Sequence, residues 1–169
     1  MRMTKAEYEA HLTRQGSTET PSITENRKKR FVIGIDPGVS TGIAVYCRRD
    51  KCLIKCETSD FWRVYENVHR LSDPTDCVLY IEDASLIKYT FHSGKVDSTN
   101  YNNATSRRVG GVQRECTLLI EGFERAGYDV VRVKPSGQKW NAATFQAITK
   151  WQGRTSEHAR DAARLVWRM

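Results

Sequence analysis

The sequence predicts an α/β domain built on one five-stranded mixed sheet, three antiparallel strands followed by parallel additions, flanked by helices. Three observations predict it. Short apolar runs rich in Val and Ile recur with turn residues between them, as strands do. Segments of helical periodicity separate the later runs, as crossover connections require. The chain has 169 residues, 39% hydrophobic and 28% charged, which suits one domain with a real core.

The elements follow in order. Phe31–Asp36, Gly42–Cys47 and Lys51–Glu57 read as three consecutive strands joined by short turns, an antiparallel meander. Between the first two, Asp36-Pro37-Gly38 forms a turn in which proline lacks a donor and glycine tolerates positive φ. Phe61, Val64, Tyr65, Val68 and Leu71 share one face of a helix over Asp60–Leu71, capped by Ser59 or Asp60 and ended by Ser72-Asp73-Pro74. Cys77–Ile81 is nearly all apolar, a strand buried on both faces. Ser85 to Ala104 is polar and long, a candidate functional loop. A helix is expected over Ser106–Ala126, with Val109, Val112, Cys116, Leu119, Ile120 and Phe123 on one face and Gly127 at its end. That face packs on the sheet or, in part, forms a dimer contact. Tyr128–Val133 is the fifth strand, and Asn141–Lys150 and Ser156–Arg168 are closing helices. The order β-β-β-α-β-α-β-α-α is the layout of the ribonuclease H-like fold.

Residues 1–30 read as a polar and basic extension to a domain over 31–169. Lys5–Gln15 suits a short helix, and Arg27-Lys28-Lys29-Arg30 is a phosphate-contacting cluster, a nuclear address or a solvated linker. Net charge is +7, which favours a polyanion as partner, nucleic acid first. No apolar run approaches the ~20 residues that span a bilayer, and no apolar-cored secretory signal opens the chain. Cys47, Cys52, Cys56, Cys77 and Cys116 include no Cys-x-x-Cys pair, so a zinc site on the first three lacks the usual spacing. The simplest expectation is a reduced, cytoplasmic protein.

Three places supply acids. Asp36 ends the first strand. Glu82 and Asp83 end the fourth, and alternation along Val78, Tyr80 and Glu82 favours Glu82 as the functional one. If the two strands are parallel, both acids leave the sheet at one edge, where ligands bind in open sheets. On the last helix His158 and Asp161 are i and i+3 and share a face, while Ala159, Ala162 and Ala163 let the helix lie close to a sheet. Glu157 is turned away toward solvent or a basic neighbour. Oxygen-rich ligands select Mg²⁺ or Mn²⁺, and two such ions about 3.5–4 Å apart can cut a phosphodiester.

Gly34-Ile35-Asp36-Pro37-Gly38 with Thr41-Gly42, then Ile81-Glu82-Asp83, then Glu157–Ala163 resemble the RuvC-type Holliday-junction resolvases, small phage-type members in particular. The likeness runs from Phe31 to the C-terminus. It implies a homodimer that binds a four-way DNA junction and cuts two strands symmetrically with divalent metal, leaving 5′-phosphate and 3′-hydroxyl. It implies Asp36, Glu82, His158 and Asp161 as the catalytic, metal-binding set, two ions per site, with Asp36 the bridge and Asp83 behind it. Where bacterial members carry an aromatic residue shortly after the second acid, this chain has Ser85; Tyr89, Phe91 and Tyr101 stand farther on and could stack on a base. The same cleft could serve flaps, single strands or an RNA–DNA hybrid, and a non-catalytic nucleic-acid-binding module is a further alternative.

Cations are needed around such acids, because bare carboxylates repel phosphate. Lys88, Lys95, Arg107, Arg108 and Arg114 flank the second acid site, and Lys134, Lys139 and Lys150 precede the third. Arg107 and Arg108 are placed at the start of the long helix, whose N-terminus also favours phosphate. Trp62, Trp140, Trp151 and Trp167 are spaced as core or interface residues.

Overall fold

The computed structural model describes residues 29–87 and 99–169, the side chains of 99–106 excepted. Its strands are β1 (Phe31–Asp36), β2 (Ser40–Cys47), β3 (Cys52–Asp60), β4 (Cys77–Glu82) and β5 (Asp129–Val133). Its helices are α1 (Val64–Leu71), α2 (Thr99–Arg125), α3 (Ala142–Thr149) and α4 (Glu157–Val166), with single 3-10 turns at Phe61–Arg63 and Ala84–Leu86. The sheet runs β3-β2-β1-β4-β5. β1–β2 and β2–β3 are antiparallel, and β1–β4 and β4–β5 are parallel. The expected α/β class and mixed sheet are therefore present.

β1 is central and buried on both faces, so its side chains serve two cores by simple alternation. Ile33 and Ile35, with Ile43, Val45, Leu79 and Ile81, meet Val64 and Val68 of α1 and Leu119, Ile120 and Phe123 of α2. On the opposite face Val32, Ala44, Tyr46 and Val78 meet Phe145 of α3 and the alanines of α4. Each large aliphatic side chain so buried contributes ~1.5–3 kcal/mol.

Helix α4 lies backbone-close to the sheet. A Cβ on Gly34 would fall 2.1 Å from the Ala162 carbonyl oxygen, and one on Gly42 would fall 2.0 Å from that of His158. With Ala159, Ala162 and Ala163 on the helix side, no side chain holds the two backbones apart. These contacts fix where His158 and Asp161 stand.

Several boundaries depart from expectation. The Pro37-Gly38 turn contains no positive φ; among the described glycines only Gly127 has one, at 84°. The Thr41 hydroxyl donates to the Gly38 carbonyl at 2.8 Å and closes the turn instead. Gly127 ends α2 as expected, its N–H bonding to Glu124 O and that of Tyr128 to Phe123 O, both at 3.0 Å. Neither Ser59 nor Asp60 caps α1: the Asp60 side chain makes no capping bond, and the Ser59 hydroxyl accepts from Asn67 at 2.8 Å. Asn141 and Ser156 do cap α3 and α4, accepting from the N–H groups of Thr144 and Ala159.

Helix α2 begins at Thr99 rather than Ser106, so it takes in the end of the expected loop. The start of the helix is polar and without apolar periodicity, so no stripe marked it in the sequence. Residues 1–28, and with them the expected Lys5–Gln15 helix, Arg27 and Lys28, lie outside the described residues. Lys29 and Arg30 serve the fold: Lys29 donates to Pro74 O at 2.8 Å and pairs with Asp129, and Arg30 lies over the Phe31 ring at 4.7 Å. Among the described residues no helix is long and apolar enough to cross a membrane. All five cysteines are free.

Candidate active site

The register of the two central parallel strands sets the site. β1 and β4 pair in step up to Ile35 and Ile81, so Asp36 and Glu82 are the next residues on adjacent strands, at one end and on the α4 face. Helix α4 crosses that end and adds His158 and Asp161. All four line one open cleft of about 490 Å³, together with Lys139 and Arg164.

Each site group has its own partner. His158 Nδ1 is 2.8 Å from Asp36 Oδ2. Lys139 Nζ is 3.3 Å from Asp161 Oδ2 and also pairs with exposed Glu157. Arg164 Nη2 is 3.6 Å from Glu82 Oε2. Among the described residues no three His, Cys, Asp or Glu side chains stand together as a ready-made metal cage. Cys47 Sγ donates to Asp50 and Cys56 Sγ to the Ala159 carbonyl, so the two thiols serve separate partners.

The electrostatics of the acids nevertheless ask for a cation. Burial raises the Asp36 carboxyl above its ordinary range, with Asp161 adding to the rise, against the opposing effect of His158. Burial first, and then the nearby Asp36 and Asp161 charges, push Glu82 up to about 7 against the opposing effect of Arg164. Asp161 Oδ1 is buried without a hydrogen-bond partner. A buried carboxylate oxygen without a donor is costly, and a hard divalent ion is the species such oxygen donors suit. Asp36, Glu82 and Asp161 are the residues that could hold one, with His158 beside them.

Asp83 is not in the cleft. It is fully buried and accepts from Arg132 Nε at 2.6 Å and from the Ser85 N–H at 2.9 Å. Burial alone would raise its pKa; the bonds from Ser85 and Arg132 outweigh burial and hold it below the usual range. It therefore ties the chain leaving Glu82 to β5, behind the cleft.

The candidate DNA contacts divide. Lys139 lines the cleft. Lys134 lies exposed just beyond β5, and Arg107, Arg108 and Arg114 lie exposed along α2. Arg107 and Arg108 sit two turns inside α2, roughly 12 Å from its start at the usual rise, so the helix N-terminus does not reinforce them. Lys88, Tyr89, Phe91 and Lys95 lie outside the described residues, as does the side chain of Tyr101. Of the α2 face, Cys116, Leu119, Ile120 and Phe123 are buried on the sheet, whereas Val112 is partly exposed and lines the cleft. Trp140, Trp151 and Trp167 pack on the α4-side core, but Trp62 is 87% exposed.

Sequence reasoning missed Arg164. Its i+3 spacing from Asp161 put it on the same helix face and was the available signal.

The sheet, its two helical layers and an acid-lined cleft at the strand ends define an α/β domain with a candidate active site. No family model, curated protein or solved structure gives a significant match to this chain.

Proposed function

We propose that this chain is a metal-dependent, structure-selective endonuclease of branched DNA, with a ribonuclease H-like fold and of the junction-resolvase type. One observation carries the reading: Asp36, Glu82, His158 and Asp161, contributed by β1, β4 and α4, line a single open cleft. The sheet order, with its antiparallel first three strands and parallel last pairs, supports the fold assignment. A net charge of +7 supports a polyanionic substrate.

Asp36, Glu82 and Asp161 would hold Mg²⁺ or Mn²⁺, which supplies Lewis acidity toward phosphate and acidifies water. The chain's own residues supply the rest. With Nδ1 of His158 engaged by Asp36, its Nε2 is the ring nitrogen left to accept a proton from the attacking water. Lys139, beside Asp161, places a positive charge at the rim where phosphate enters. Water attack on phosphorus expels the 3′ oxygen and leaves 5′-phosphate and 3′-hydroxyl ends. A homodimer would present two such clefts to a four-way junction and give paired nicks.

The test is incubation with a labelled four-way junction and Mg²⁺, beside linear duplex, flap, single-stranded and RNA–DNA hybrid substrates. Symmetric nicks in the junction that vanish with Asp36→Asn are expected. Preference for another substrate would transfer the same cleft to a different ribonuclease H-like activity. Binding without cleavage of any of them, together with no divalent-ion binding, would leave a nucleic-acid-binding module.

A further inference from the structure

Arg132, Arg160 and Arg70 are taken up by protein contacts, and Arg164 is not. Arg132 bonds Asp83 and Ser85. Arg160 donates to the Trp140 and Thr155 carbonyls at 2.8 and 2.9 Å. Arg70 pairs along α1 with Glu66. Arg164 differs. Its side chain is only 16% exposed, yet its one charged contact among the described residues, to Glu82, is 3.6 Å long, beyond hydrogen-bond reach. Its Nε is buried without a partner. Among the described residues the guanidinium donates no hydrogen bond at all.

Leaving a charged group so withdrawn from water and so poorly bonded is unfavourable, and proteins seldom keep one without a use for it. The guanidinium also lines the cleft that holds the acids. It presents a planar fork of donors, which matches two oxygens of a phosphate far better than one distant carboxylate oxygen. It stands on α4, a helix whose Ala162, Ala163 and Leu165 are buried against the core.

We propose that Arg164 is a phosphate-contacting residue of the cleft: its guanidinium rests against Glu82 in the free protein and donates to a non-bridging oxygen of the bound phosphodiester. This rests on the nuclease reading for its substrate class. The contact neutralises charge that grows on the phosphate oxygens as water attacks. Glu82, shared with Arg164 in the free protein, is released to a cation when the fork turns to phosphate. Lysine is a poor substitute, because a point charge cannot fork.

The test uses full-length protein, wild type, Arg164→Gln and Arg164→Lys, with folding checked by circular dichroism. The first readout is binding of a fluorescein-labelled four-way junction in Ca²⁺ across a salt series. Arg164→Gln is expected to weaken binding about tenfold and to lower the slope of log K against log salt by about one, the signature of one lost phosphate contact. The second is Mn²⁺ affinity by calorimetry, expected to be unchanged or tighter in Arg164→Gln because a competing cation has gone. The third is single-turnover cleavage in Mg²⁺, expected to fall about 10²-fold or more in Arg164→Gln, with little rescue by Arg164→Lys.

An unaltered salt slope and cleavage rate in Arg164→Gln would overturn the proposal, and so would a loss of Mn²⁺ binding with junction affinity intact, which would make Arg164 a structural counter-ion of Glu82. If Arg164→Gln does not fold, Arg164→Lys decides: an unaltered cleavage rate there overturns the forked contact. If wild type binds the junction in Ca²⁺ but cuts nothing in Mg²⁺, the nuclease reading fails while the salt slope still decides the phosphate contact. If wild type binds no DNA, both fail.

Discussion

His158 and Asp36 lie 122 residues apart in the chain, yet His158 Nδ1 stands 2.8 Å from Asp36 Oδ2. The contact joins the end of the first strand to the first turn of the last helix. It also engages one nitrogen of the imidazole, which leaves the other for the proton transfer proposed above.

On the nuclease proposal, removing the Asp36 charge should disable the site twice, by loss of a proposed cation ligand and by release of His158. Asp36→Asn keeps the volume of the side chain, so the protein should fold. Junction cleavage in Mg²⁺ should drop by about 10³-fold or more, the scale of several kcal/mol of lost charge stabilisation. Single-turnover gels check the rate, and a thermal melt within a few degrees of wild type checks the fold.

Glu82 links function to stability. Its pKa is raised in the folded protein from 4.5 to about 7, first by burial and then by Asp36 and Asp161. The folded state thus holds a proton that the unfolded state releases near pH 4.5, and stability falls as pH rises from there to about 7. The cost at pH 8 is at most about 3 kcal/mol. Glu82→Gln should raise Tm at pH 8, raise it little or not at all at pH 4, and abolish cleavage. Melts across pH without divalent metal check this; a gain that grows toward low pH would contradict it.

The same proton competes with metal. Mn²⁺ affinity of wild type should increase as pH rises through about 7, as Glu82 ionises, and level off above. Calorimetric titrations at several pH values measure it. In Glu82→Gln this part of the pH dependence should vanish.

Gly34 and Gly42 should not accept alanine. The added methyl would lie 2.1 Å and 2.0 Å from carbonyl oxygens of Ala162 and His158, so α4 must move. Each change should cost about 1–3 kcal/mol, the usual scale of overpacking. Gly42→Ala should also lower cleavage in the protein that remains folded, because the shift falls on His158 itself. Denaturant melts and activity per folded molecule separate the two effects.

Arg132→Ala should be more damaging than its exposure suggests. Arg132 is about half exposed, but its partner Asp83 is wholly buried and would be left as an uncompensated charge. A loss of about 3–5 kcal/mol is expected. Asp83→Asn, which removes the charge and keeps much of the hydrogen bonding, should cost less. Urea unfolding of both variants compares them.

The fold class and the acid positions were legible because they rest on local regularities. Strand alternation put Glu82 rather than Asp83 on the α4 face, and the alanine spacing of Glu157–Val166 indicated a helix that lies close to a sheet. What could not be read depends on partners distant in the chain. Gly34 and Gly42 read simply as strand positions, and nothing local tells that their lack of a side chain makes room for helix backbone. Nor does anything local tell that Arg164 faces Glu82, or that the exposed Lys139 lies against Asp161. The start of α2 at Thr99 was hidden by a polar stretch with no apolar stripe.

Helix α4 settles on tracks that the two strand glycines leave bare, and it is encoded after every strand it covers. A growing chain can assemble the whole sheet and still lack half of the cleft. His158 and Asp161 are therefore translated after Asp36 and Glu82, and the four side chains meet only once the segment 157–166 has docked.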